Sequence, residues 1–101
     1  MTSEIMIRPE AETDMGEAFD WYEERIRGLG SDFLLNVDAA FHAIPRNPRQ
    51  FPVVHKNIRR ALTRRFPYQI FFVTEEKSIV VLAVFHVKRS PMRWKARAGG
   101  G

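Results

Sequence analysis

Between Ile58 and Tyr68, four of eleven residues are arginine: Arg59, Arg60, Arg64 and Arg65. A guanidinium is a planar fork that donates two parallel hydrogen bonds, so it suits phosphates and carboxylates. Residues 58–66 also read as a β-strand, and a strand with this much charge presents it to something anionic. A second basic word follows at Lys88-Arg89, with Arg93 and Trp94 just beyond. Arg and Trp are enriched where one protein grips another. His86, immediately before, is the strongest acid–base candidate, because histidine alone titrates near neutrality without perturbation. Tyr68 is a second proton-bearing group near the arginines in sequence. The competing reading is local. A strand-end histidine commonly bonds nearby backbone, and some arginines could pair with the acidic first helix. Metal chemistry and a cofactor are not expected, since His42, His55 and His86 are scattered and cysteine is absent.

The elements that position these residues follow from periodicity. Ile5 and Ile7 alternate with Met6 and Arg8, predicting a short strand that Pro9 ends. Met15, Ala18, Phe19, Tyr22 and Ile26 then recur at helical spacing. Glu10, Glu12, Asp14 and Glu17 load the first turns, while Arg25 and Arg27 sit near the end, as the helix dipole favours. Glu23 and Arg27 form an i,i+4 pair, and Trp21 and Tyr22 read as helix-hairpin core. Gly28 and Gly30 stop this helix, and Ser31 is the expected N-cap of a second. Phe33, Leu34, Val37, Phe41 and Ile44 mark the second helix's apolar face, with Pro45 and Pro48 at its end. Residues 47–57 read as loop. Strands are expected at 58–66, 68–74 and 79–86, joined tightly enough to form an antiparallel meander. The last two are apolar on both parities. They belong mid-sheet, with helices on one side and the other side partly open or covered by a partner. The arginine strand does not alternate cleanly, which predicts a bulge, a strong twist, or arginines pointing into a shallow groove. The fold class is therefore α+β, in the order β-α-α-β-β-β, with a helical hairpin on an antiparallel sheet and the first strand at an edge. One domain over 1–97 with a flexible 98–101 tail is expected.

At 101 residues the chain suits one two-layer core. It has no apolar run of the roughly 20 residues that span a membrane, and no charged n-region followed by an apolar h-region. No membrane association or leader is expected, and a cytoplasmic location is compatible with the absence of cysteine. The net charge of +4 conceals an asymmetry: residues 1–50 sum to −5 and residues 51–101 to +9. An anion-facing half follows from this, either towards nucleic acid or towards an acidic protein segment. A plain nucleic-acid-binding domain is disfavoured, because neither predicted helix is basic.

The order of elements comes with specific words. These are Asp20-Trp21-Tyr22-Glu23-Glu24, Gly28-Leu29-Gly30, Asn47-Pro48, Arg59-Arg60-Ala61-Leu62 and Arg64-Arg65-Phe66-Pro67-Tyr68, followed by Val81-Leu82-Ala83-Val84-Phe85-His86, Lys88-Arg89-Ser90-Pro91 and Trp94. Over roughly residues 4–97 the chain resembles the RelE/ParE superfamily of toxins from type II toxin–antitoxin modules, nearest its ParE-like, plasmid-stabilisation branch. The resemblance implies a small cytoplasmic toxin held inactive in a hetero-oligomer with a ParD-like antitoxin. The acidic, disordered C-terminal part of that antitoxin would fold along the toxin, its apolar anchors over the hairpin and the sheet edge. ParE-like members poison DNA gyrase and RelE-like members cut mRNA on the ribosome, so the site must decide. Gyrase inhibition is the preferred expectation, with Arg59, Arg60, Arg64, Arg65, Lys88, Arg89, Arg93 and Trp94 as the target-binding set. The alternative is a metal-independent nuclease that uses His86 with Arg60, Arg64 and Arg65. RelE-like enzymes typically carry lysines or a Glu before the second strand and a Tyr near the C-terminus. This chain has only Lys56 in that loop, and no tyrosine after His86.

Overall fold

The computed structural model describes residues 4–89 and 91–99. In chain order the elements are β1 (Glu4–Ile7), α1 (Pro9–Arg25), α2 (Leu29–Ala43), two 3₁₀ turns (Ile44–Arg46 and Pro48–Gln50), β2 (Val53–His55), β3 (Ile58–Leu62), β4 (Tyr68–Glu75), β5 (Ser78–His86) and α3 (Pro91–Gly99). The strands form one sheet in the order β1-β5-β4-β3-β2. The expected α+β hairpin-on-sheet fold is present, with β1 at an edge and a β3-β4-β5 meander. The sheet is mixed rather than wholly antiparallel, because β1 runs parallel to β5. Two elements were not expected. β2 lies inside the predicted 47–57 loop, and α3 holds Arg93 and Trp94, for which no element was predicted. Ala98 and Gly99 close α3, while Ser90, Gly100 and Gly101 lie outside the described residues.

Several local expectations change for identifiable reasons. α1 ends at Arg25, so Ile26 is extended and 63% exposed rather than part of the apolar face. Ser31 does not cap α2. The N-cap is Gly28, at φ +90°, a left-handed backbone that favours glycine. Glu23 does the capping from the preceding helix. Its carboxylate accepts the Gly28 N–H at 2.8 Å and the Gly30 N–H at 3.0 Å, satisfying donors that open the second helix. The side chain expected to pair with Arg27 is used here instead. At Gly30 the helices touch, since a Cβ there would lie 2.7 Å from the Phe19 carbonyl oxygen.

Two cores result. On the helix side, Phe33, Val37 and Phe41 of the hairpin, with Ile44 of the turn that follows, pack on Ile70, Phe72, Ile79, Val81 and Val84. Tyr22, Phe33, Phe66 and Tyr68 form a ring cluster with centroids 4.8–6.1 Å apart. Trp21, read as hairpin core, is half exposed instead, with the Arg25 guanidinium 3.3 Å over its ring. On the opposite side, Ile58, Phe71, Val80, Leu82, Ala83 and Phe85 would face water. The chain covers this face itself, with Trp94 of α3. The face expected to be open or covered by a partner is therefore closed from within.

Candidate target-binding surface and the His86 groove

The arginine strand is shorter than expected and ends at Leu62. Thr63 turns the chain. Its hydroxyl donates to the Phe66 carbonyl at 2.6 Å, and its N–H to the Tyr68 carbonyl at 3.0 Å. Pro67 has no N–H to continue a ladder. The irregular parity is thus resolved: Arg59 and Arg60 lie on β3, while Arg64 and Arg65 sit exposed in the connection to β4.

Register divides the pair on the strand. Arg59 opposes Phe72 and Arg60 opposes Phe71, so the two side chains take opposite faces. Arg59 is committed internally, donating to the Phe51 carbonyl at 2.7 Å and towards the Arg49 carbonyl at 3.5 Å. Arg60 reaches a small notch of about 180 Å³ that Gln69, Arg89 and Trp94 also line. Arg64 lines a separate groove beside α2, and the backbone N–H of Arg65 donates to Asn36 at 3.2 Å. Among the described residues no carboxylate lies within ion-pair distance of Arg59, Arg60, Arg64 or Arg65. The acidic first helix does not neutralise them.

His86 closes β5 opposite Tyr68, with ring centroids 5.4 Å apart. Its Nδ1 accepts the Lys88 N–H at 3.0 Å. A backbone N–H can only donate, so Nδ1 is the acceptor in this contact. The ring lines an open groove of about 400 Å³ with Glu17, Trp21, Tyr68 and Arg89. Burial, with smaller contributions from the neighbouring Tyr22 and Asp14 charges, pushes the Tyr68 phenol above its ordinary range; Arg89 opposes this. Burial also raises Tyr22. Both phenols are protonated at neutral pH.

The predicted residues therefore do not converge. Arg89 borders both the His86 groove and the Arg60 notch, while Arg64 and Arg65 lie towards α2. Lys88 and Arg93 are exposed. Trp94 is 6% exposed and stacked on Phe71 at 4.3 Å and 17°, so its indole is core. α3 is also a basic helix that the sequence reading lacked, presenting Arg93 and Lys95 to solvent.

One pair escaped the sequence reading. Asp14, counted as a helix-dipole charge, is 6% exposed and forms an ion pair with Arg97 at 2.6 Å. Hydrogen bonding to that carboxylate raises the Arg97 guanidinium further above its ordinary range. A signal was available, because Ala11, Asp14 and Ala18 fall at i, i+3 and i+7 on one helix face.

The family model described as "ParE toxin of type II toxin-antitoxin system, parDE" matches residues 5–91. The chain belongs to the ParE toxin family. Toxin ParE2 of Mycobacterium tuberculosis (strain H37Rv) is 30% identical over 101 residues, covering 99% of this chain and 96% of the relative. Among solved structures, the chromosomal ParDE toxin–antitoxin system from P. aeruginosa is similar at a TM-score of 0.76 and 16% identity, over 84% of this chain and 96% of that one. The toxin–antitoxin complex RelBE2 from M. tuberculosis is similar at a TM-score of 0.59 and 18% identity, over 85% and 99%. At such identities these two likenesses speak for the fold. The ParE family match stops at residue 91, so nearly all of α3 lies beyond it. No described helix is long and apolar enough to cross a membrane.

Proposed function

We propose that this ParE-family toxin arrests growth in the cytoplasm by docking a cationic face on DNA gyrase, and that a ParD-like antitoxin neutralises it. The observation that carries the reading is the set of cations on the α3 side and the β3–β4 connection. Arg60, Arg64, Arg65, Lys88 and Arg93 have no carboxylate of the described chain within ion-pair distance, which leaves their charge available to a partner. Arg59 and Trp94 of the expected set serve internally, and the working set is reduced accordingly.

The antitoxin's acidic segment fits the same charge, and its apolar anchors have a place. Two adjoining, mainly apolar grooves of about 530 and 420 Å³ run beside α2 and β1, sharing Ile7, Asp38 and Phe41. Leu35 at the first is 67% exposed, a large apolar side chain that a folded-on segment would cover. The sheet ends at β1, so a strand could also be added there.

The nuclease alternative has one observation in its favour: Arg60 and Arg89, two guanidinium groups suited to a phosphate, line the same notch. Against it, His86 lines the other groove with Nδ1 already engaged, and Arg64 and Arg65 stand apart, so clamp and acid–base group do not meet. A supercoiling assay with purified gyrase, run beside a ribosome-bound mRNA cleavage assay, separates the readings. Loss of supercoiling with intact mRNA is expected, reversed by an acidic antitoxin peptide. Cut mRNA with unaffected gyrase would reverse the assignment.

A further inference from the structure

Asp14 is the only buried carboxylate among the described residues, and it joins three elements. Its Oδ2 accepts the Val84 N–H of β5 at 3.1 Å and Arg97 Nη1 at 2.6 Å; its Oδ1 accepts Arg97 Nη2 at 3.1 Å. Arg97 Nη1 also donates to the Leu82 carbonyl at 3.2 Å. The cause lies in the strand. β1 pairs with β5 only as far as Val81, and Leu82 is skipped in the register with β4, a bulge. Beyond that point a carbonyl and an N–H face an edge without a strand. A buried backbone group left unpaired is costly. The Asp14–Arg97 pair satisfies both groups, and in doing so ties the last turn of α3 to α1.

We infer that Asp14 is a positioning residue of the proposed target-binding surface, holding α3 so that Arg93 and Lys95 are presented beside the Arg60–Arg89 notch. Trp94 lines that same notch, so a helix that leaves the sheet dismantles it. The inference rests on the gyrase reading for its functional half. Its physical half is independent: the Asp14–Arg97 pair sets the docked population of α3. A ligand that requires the docked state binds with an apparent affinity scaled by that population. Arg97 lies outside the stretch that matches the family.

The test is Asp14→Asn, whose amide oxygen still accepts from Val84 while the ion pair is lost. It is read in a Trp21→Phe background, so that emission reports Trp94 alone. Expected are a red-shifted Trp94, faster amide exchange over 91–99, and a half-inhibitory concentration against gyrase raised about tenfold, as when the docked fraction falls to about one tenth. Affinity for the apolar anchor portion of the antitoxin peptide alone, which seats in the grooves beside α2 and β1 away from α3, stays within about twofold, a split that a general loss of fold would not give. Arg97→Gln breaks the same link from the other end and serves if Asp14→Asn does not fold. Arg97→Lys, which keeps the charge and loses the fork, recovers part of the docking. An unshifted Trp94 in both Asp14→Asn and Arg97→Gln overturns the inference. If the unmodified toxin leaves gyrase untouched, the target reading fails, while emission and exchange still decide the latch.

Discussion

His86 accepts a backbone N–H on Nδ1 and packs its ring against Tyr68, which defines what replacing it should do. His86→Gln keeps an acceptor near that N–H. We expect a loss of at most about 0.5–1.5 kcal/mol in urea unfolding, the net worth of that hydrogen bond where Gln does not remake it, with gyrase inhibition retained. Abolished toxicity in a stably folded His86→Gln protein would instead mark the ring as a proton-transfer group. Tyr68 gives a pH prediction. Its folded pKa lies above the ordinary phenol value of 10.0, so the unfolded chain loses the phenolic proton first as pH rises. Stability from this group is complete below pH 10 and is lost as pH climbs through the higher folded value. Tyr68→Phe should therefore flatten the fall in melting temperature above pH 10, whereas an unchanged slope would place the phenol in water. Asp14 shows why part of the site was illegible. Asp14 sits in the second turn of α1 in a run of acidic residues, so in sequence it reads as one more dipole charge whether or not it is buried, and its partner lies 83 residues away.

At the scale of elements, the hairpin was legible because its 3.6-residue period is long and regular, and the meander because two long apolar runs are bounded by turn residues. β2 was not, since three residues carry too little pattern. α3 was not either, because among its residues 93–97 Trp94 alone is buried, and one aromatic makes no stripe. Its helical state depends on the apolar face beneath it, a property of β4 and β5 rather than of its own sequence. Trp94→Ala removes the ring stacked on Phe71. We expect it to cost about 3–5 kcal/mol, as for other large core aromatics, and to increase binding of an apolar dye to the uncovered face. Amide protection of α1 and α2 should persist beyond that of α3. Equal loss of protection across all three helices would contradict a separately docked α3.

Across the whole molecule, charge is polarised along the chain, −5 in the first half and +9 in the second. Folding preserves the separation. The described arginines of β3 and its following connection find no carboxylate partners, and α1 keeps its exposed acids. Association with an acidic peptide should then be steered electrostatically. We expect its on-rate in stopped flow to fall at least about tenfold between 50 mM and 500 mM salt, with the off-rate changing less. A salt-independent on-rate would mean that the apolar grooves beside α2 act alone. The cationic face itself is tested most directly by gyrase supercoiling with the native toxin and with Lys88→Glu/Arg93→Glu, two exposed charges with no packing role. The account predicts inhibition by the native toxin and at least about tenfold weaker inhibition by the double variant, as for lost interface anchors; equal potency of the two would contradict it.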